Sequence, residues 1–166
     1  MIFVTVGTHE QQFNRLLSAI DNISGKKVLN DKFIIQAGYS TYIPKNCESR
    51  QFFSFQEMNK LMDQARIIVT HGGPSSFMMA LERKKIPIVV PRQLKYEEHV
   101  NNHQLDFVDA VAKEKKNIIP VNEIENLEST LVNYSHIVDN MQSAVTLNND
   151  QFTKHLEELM WNVLKK

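Results

Sequence analysis

The kind of apolar run this chain carries limits the folds open to it. Short, nearly continuous, mostly β-branched runs occur at residues 2–6, 33–37, 67–70, 88–90 and 117–121. A strand with one wet face alternates apolar and polar residues, whereas an unbroken run belongs to a strand covered on both faces. Between most of these runs the apolar residues return at helical spacing. Phe13, Leu16, Leu17 and Ile20 make one stripe, Met58, Leu61, Met62 and Ala65 a second, and Leu105, Phe107, Val108 and Val111 a third. Strand alternating with helix predicts an α/β fold, a parallel sheet with right-handed crossovers and helices on both faces. One connection breaks the rhythm. Residues 38–49 read as loop, followed by a short strand at 51–53 and a helix from about Gln56. From Ile124 onward the pattern is mostly helical. Its last piece sets Phe152, Leu156, Leu159, Met160, Val163 and Leu164 against a charged face, with Asn148, Asn149 and Asp150 as N-cap candidates. The expected organisation is one domain, a core over residues 1–122 and C-terminal helices over 123–166. The last stripe closes that core or docks a partner chain, a second copy included.

Composition narrows the function. The 166 residues are 42% apolar and 23% charged, ordinary for a globular chain. Nineteen basic residues balance nineteen acidic ones. Non-specific nucleic-acid binding needs clustered Lys and Arg, so no nucleic-acid partner is expected. Cys47 is the single cysteine and makes no internal disulfide, which fits a reducing, cytoplasmic setting. No apolar run approaches the roughly 18–20 residues of a membrane span, and the chain enters a strand at once without a basic leader. Neither Gly-x-Ser-x-Gly nor His-Glu-x-x-His is present, so a serine hydrolase or zinc protease has no support.

Three segments that follow buried runs carry polar chemistry. The first is Gly7-Thr8-His9-Glu10-Gln11-Gln12. In an open parallel sheet, ligands bind beyond the carboxyl ends of the strands. Gly7 permits close backbone approach, Thr8 offers a hydroxyl, and a following helix offers free N–H groups. The plainer reading is a tight turn with Thr8 as N-cap. The second is His71-Gly72-Gly73-Pro74-Ser75-Ser76. Two glycines open the turn, Pro74 suits a first helical position, and two serines surround the helix start, together an anion site suited to a diphosphate. It is neither a Walker loop nor Gly-x-Gly-x-x-Gly, which argues against a dinucleotide enzyme. The third runs from Val90 to Gln104. Arg92 and Lys95 can neutralise phosphate, and Asn102, His103 and Gln104 can bond sugar hydroxyls. His99 and His103 stand four apart, a spacing that shares a helix face and permits a metal pair. No third ligand is convincing, so no metal is expected.

Taken jointly and in order, these segments resemble the family 28 glycosyltransferase C-terminal domain over about residues 1–120. The resemblance rests on Ile-Phe-Val-Thr-Val-Gly-Thr-His-Glu-Gln-Gln-Phe at 2–13, Thr-His-Gly-Gly-Pro-Ser-Ser at 70–76, and Val-Pro-Arg followed after five residues by Glu-His-Val-Asn-Asn-His-Gln at 90–104. It implies a Rossmann-like domain, the donor-binding half of a GT-B enzyme divided between two proteins. The other half would be membrane-associated and carry the acceptor site. The likeness extends to bacterial exopolysaccharide and capsule subunits, commonly β-1,4-galactosyltransferases or glucuronosyltransferases. By family position Gly7, Thr8, His71, Gly72, Gly73, Ser75 and Ser76 would hold the diphosphate of a UDP-sugar, and Phe55 would line the uracil. Arg92, Asn102, His103 and Gln104 would lie at the donor sugar, and His9 is a candidate general base. The reaction would be inverting, without cofactor or metal, onto a lipid-linked oligosaccharide at the inner face of the membrane. One position departs from the family: Met79 stands where a glutamate usually accepts from the ribose hydroxyls, and Glu82 lies a turn further on. That departure keeps open a non-catalytic, nucleotide-sugar-binding accessory subunit.

Overall fold

The computed structural model describes residues 1–142. Six strands, β1 (Ile2–Thr5), β2 (Phe33–Gln36), β3 (Glu48–Arg50), β4 (Ile67–His71), β5 (Ile88–Val90) and β6 (Ile119–Pro120), form one sheet. Every pair is parallel and the order is β3-β2-β1-β4-β5-β6. The helices are α1 (Asn14–Lys26), α2 (Phe55–Gln64), α3 (Pro74–Glu82), α4 (His103–Lys115), α5 (Leu127–Val132) and α6 (Tyr134–Gln142). This is the doubly wound, Rossmann-like α/β arrangement that the alternation of runs predicts.

The near-continuous runs have the expected cause. In β1, β2, β4 and β5 successive side chains leave opposite faces of the sheet, and both faces are covered. Ile2, Val4, Ile35, Ile67, Val69, Ile88 and Val90 pack under α1, α5 and α6 with Leu16, Leu17, Ile20 and Leu127. Their neighbours Phe3, Ile34 and Ile68 meet α2 and α3 through Met62 and Ala80. Val89 meets α3 and α4 through Phe77, Phe107, Val108 and Val111. Each side chain so buried contributes about 1.5–3 kcal/mol. Tyr134 adds an anchor: its buried hydroxyl donates to the Ile86 carbonyl at 2.8 Å and ties α6 to the lead-in of β5.

Three expectations shift. The strand expected at 51–53 lies instead at Glu48–Arg50. As an edge strand, β3 has one neighbour and tolerates charge, and Lys32 pairs with Glu48 beside it. Phe52 and Phe53 are thereby pushed past the end of the sheet. The run at 117–121 pairs only over Ile119–Pro120, at the other edge, where a proline costs no ladder bond on its open side. After β1 the chain does not enter a helix at Thr8. Helix α1 starts at Asn14, and its first donors are already engaged, Phe13 N–H by Ser40 Oγ and Asn14 N–H by Gln12 Oε1. Helix α2 starts where it should, closed by a capping box between Ser54 and Glu57. The stripe expected at 152–164 lies outside the described residues. Among the described residues no helix is long and apolar enough to cross a membrane.

The loop at 38–47 is held by one buried carboxylate. Asp21 Oδ1 accepts from the N–H groups of Lys45 and Asn46, and Oδ2 accepts from the Tyr42 hydroxyl. Burial pushes the Asp21 pKa up, but these donors outweigh it and hold the carboxyl below its ordinary value. Stability from Asp21 is therefore complete above the unfolded-state pKa, and it disappears as pH falls through the depressed folded value. Asp21→Ala strands three donors and is expected to cost about 2–3 kcal/mol at neutral pH, measured by urea unfolding, with the gap to wild type closing under strong acid.

Candidate functional site

Strands β1 and β4 are neighbours, yet the chain leaves them in opposite directions, β1 toward β2 and β4 toward β5. At such a switch point the loops diverge and leave a crevice. Here it is a cavity of about 620 Å³ beyond the carboxyl ends of β1, β2 and β4.

Its floor is the imidazole of His71, the last residue of β4. The Gly73 N–H donates to His71 Nδ1 at 3.0 Å, so the ring proton sits on Nε2 and donates to Ser76 Oγ at 2.9 Å. Burial pushes the His71 pKa down to about 3, with Arg92 adding to the shift, so the ring is neutral at physiological pH. Two glycines make room for it. A Cβ on Gly73 would stand 2.1 Å from the ring, and one on Gly7 2.3 Å from it. Gly7 also has φ +74°, which disfavours any side chain. The sequence predicts that Gly7 lets a ligand approach; in the structure it is His71 that comes close.

Unpaired hydrogen-bond donors stand at the start of α3. Pro74 has no N–H, and the Ser76 N–H bonds the Gly73 carbonyl. The Ser75 N–H remains, with the Ser75 hydroxyl and the Ser76 hydroxyl hydrogen that His71 leaves free. Thr8 faces the same space across the cavity. At the opposite end, Phe52 and Phe55 are exposed at the rim, and Met58 and Met79 line the wall between. Such a rim offers an apolar face for a planar ring. Gln36 joins the two ends. It is buried at the end of β2, accepts from Phe53 N–H at 3.1 Å and donates to Thr5 Oγ1 at 3.1 Å, which also takes the Gly7 N–H.

The third loop divides. Gln104 lines the cavity, its Oε1 accepting from the N–H groups of Gly72 and Arg92. Asn102 and His103 do not line it. Asn102 Oδ1 accepts from Leu94 N–H, and the His103 N–H donates to Asn101. Arg92 is 0% exposed, against the expectation of a sugar contact. Its guanidinium donates to the carbonyls of Val6, Gln11, Gln12 and Glu98 at 2.8–3.2 Å and lies 4.7 Å from the Phe13 ring centroid. Helix α4 begins only at His103, so His99 and His103 share no helix face. Among the described residues no group of three His, Cys, Asp or Glu is placed to hold a metal.

His99 instead meets His9 at the cavity wall, ring centroids 4.8 Å apart, edge to face. His9 Nε2 is buried and has no partner. Burial lowers the pKa of both rings, aided at His9 by Arg92 and at His99 by His9 itself, so both are neutral near pH 7. A neutral imidazole accepts a proton, the property a general base needs. Sequence reasoning missed Gln36, Phe52 and His99 as lining residues. A glutamine ending an otherwise apolar strand is a readable signal for the first. The other two depend on where β3 ends and where α4 begins.

Arg92→Met leaves four buried carbonyls without their donor. The expected loss is about 3 kcal/mol or more of folding stability, read from chemical unfolding. A residue acting at a sugar would leave the unfolding midpoint in place.

The comparisons with known proteins agree with this geometry. The family description "glycosyltransferase family 28 C-terminal domain" matches residues 1–160. The Homo sapiens UDP-N-acetylglucosamine transferase subunit ALG13 is 29% identical over 122 residues, covering 68% of this chain, and its Mus musculus counterpart is 26% identical over 121. The match spans only 10% of either relative's length. Among solved structures, the glycotransferase of kitacinnamycin superposes with TM-score 0.55 at 14% identity, covering 99% of this chain and 39% of that one. The glycosyltransferase SnogD from Streptomyces nogalater gives 0.50 at 14%, covering 98% and 39%. At that identity the two structures show the shared GT-B domain fold. By its match over nearly the whole sequence, this chain belongs to the glycosyltransferase family 28 C-terminal domain family.

Proposed function

We propose that the chain is the donor-binding, catalytic half of a two-protein, UDP-sugar-dependent inverting glycosyltransferase. The observation that carries this reading is the cavity at the switch point, with hydroxyl and N–H donors of α3 at one end and an aromatic rim at the other. That layout suits a nucleoside diphosphate: the base lies against Phe55 and Phe52, and the diphosphate lies at Ser75, Ser76 and Thr8. The name of the ALG13 relatives, a UDP-N-acetylglucosamine transferase subunit, supports both the UDP-sugar donor and the need for a partner. The transferred sugar is a hexose, galactose by preference, and the acceptor is a lipid-linked oligosaccharide of exopolysaccharide or capsule synthesis. The partner brings that acceptor and holds this chain at the cytoplasmic face of the membrane. Residues 1–166 act as a single donor-binding domain.

The chemistry of this reading is a single displacement. The acceptor hydroxyl attacks the anomeric carbon from the face opposite the diphosphate. The bond from that carbon to the phosphate oxygen breaks, and the configuration inverts. Hydrogen bonds already aimed at the leaving diphosphate stabilise the charge it gains, without reorganisation at the moment of reaction. His9 takes the proton released by the hydroxyl.

Calorimetric titration should show UDP binding in preference to ADP, GDP and NAD. Ser75→Ala with Ser76→Ala should weaken it by about tenfold to a hundredfold, the worth of one or two charge-assisted hydrogen bonds. Unchanged affinity in the double variant would remove the diphosphate site.

A second reading, a nucleotide-sugar-binding subunit without catalysis of its own, is favoured by one observation: Met79 lines the wall and offers no acceptor to a ribose. Met79→Glu is expected to tighten UDP binding by roughly 10- to 150-fold, since a hydrogen bond to a charged group contributes about 1.5–3 kcal/mol. Sugar transfer by the reconstituted pair, compared with the partner alone, separates the two readings. Full activity of the partner alone would assign catalysis elsewhere.

A further inference from the structure

Among the described residues, no Lys, Arg, Asp or Glu lines the cavity. Helix-start donors meet the charge of a sugar-bound diphosphate, but cleavage adds one further negative charge, and no fixed cation lines the cavity to match it. Among the described residues, the only lining groups able to become cationic are three imidazoles. His71 is excluded because both its ring nitrogens are engaged, Nδ1 by Gly73 and Nε2 by Ser76. His9 and His99 remain, in edge-to-face contact at 4.8 Å, with His9 Nε2 buried and unpartnered.

We propose that His9 and His99 form a proton-binding pair that is neutral in the empty site and with the sugar donor bound, and holds one proton when the cleaved nucleoside diphosphate, its terminal phosphate free, occupies the site. The inference rests on the reading of the cavity as a diphosphate site and adds how that site is charged. Two imidazoles in contact do not both become cations cheaply, so the pair titrates as one unit. The surrounding groups set the empty pair to neutral. Arg92 lies beneath it and opposes protonation of both rings, His103 opposes it at His99, and His71 is coupled to both. Glu10 favours protonation of His9, a side-chain hydrogen bond with Asn101 favours it at His99, and the Asn101 N–H donates to His99 Nδ1 only at 3.4 Å. Glu98, next to His99 in the chain, is turned away onto Arg15 and the Gln93 N–H. The extra charge of the free diphosphate reverses the balance.

The proton and charge balance closes through the reaction. Attack by the acceptor hydroxyl forms the new glycosidic C–O bond and releases one proton. Cleavage of the sugar–phosphate bond leaves one further negative charge on the diphosphate. If the pair takes that proton, the imidazolium it becomes neutralises that charge, so removing the proton and matching the leaving group are one event.

The test uses the full chain and UDP. At pH 7.5 the terminal phosphate of UDP, with a second pKa of about 6, is already ionised. Calorimetry in buffers of different ionisation enthalpy then reads proton exchange by the protein. The expected result is uptake approaching one proton per UDP, with affinity falling by up to about tenfold per pH unit on the alkaline side. Imidazole NMR signals of His9 and His99 in the wild type should move to higher pKa when UDP is added, while those of His71 stay still. His9→Gln and His99→Gln should each reduce the uptake and flatten the pH slope. UDP binding without proton uptake, or with uptake that persists in both variants, would overturn the pair. If UDP fails to bind at any pH, the diphosphate reading itself falls, and the pair falls with it.

Discussion

The guanidinium of Arg92 is the interaction on which the arrangement of the site depends. It sits at the meeting point of β1, the 7–13 loop and the loop after β5, and it satisfies one carbonyl of β1's end, two of the loop and one of the segment before α4. A buried charge is costly unless its hydrogen bonds are met, and here backbone oxygens and the face of Phe13 meet them. The adjacent ion pair works the same way. Glu98 is fully buried, receives Arg15 through two bonds and also takes the Gln93 N–H. Together the two arginines fasten loops from distant parts of the chain and bring His9 against His99.

From that constraint the rest of the cavity follows. The 7–13 loop cannot wind into α1 early because Arg92 holds its carbonyls, so Gly7 and Thr8 stay open beside β4. His71 then fills the space that Gly7 and Gly73 leave, and its fixed tautomer orients Ser76. Gln36 carries the order across to the aromatic rim through Thr5 and Phe53. Polar groups of the floor are therefore mostly spent on one another, and the groups left for a ligand are few: the serines and Thr8 at one end, the rim at the other, and the imidazole pair beside them.

Much of this was legible in the residues. Unbroken apolar runs at 2–6, 33–37, 67–70 and 88–90 require a sheet covered on both sides, and the structure has it because four central strands have no wet face. His71-Gly72-Gly73-Pro74-Ser75-Ser76 after a buried strand reads as a helix start, and Pro74 opens α3. The third loop was legible only as polar. Arg92 and Gln104 carry the same hydrogen-bonding potential toward a sugar as toward the backbone, and only packing shows that Arg92 is sealed beneath the cavity while Gln104 borders it. The edge strand falls three residues before the expected one because an edge tolerates Glu48 and Arg50, which a periodicity argument discounts.

The layering of helices on a parallel sheet and the polar segments beyond its carboxyl ends can be read from the residues alone, because burial on both faces and helix-start chemistry are local patterns. Which of those polar groups face the cavity depends on packing between distant parts of the chain. Arg92 reaches Val6 across 86 residues of chain, and His9 meets His99 across a comparable span. Such contacts exist only once β1, β4 and β5 lie side by side, and nothing in the local spacing of charged residues records whether a side chain will be spent on the backbone or left for a ligand.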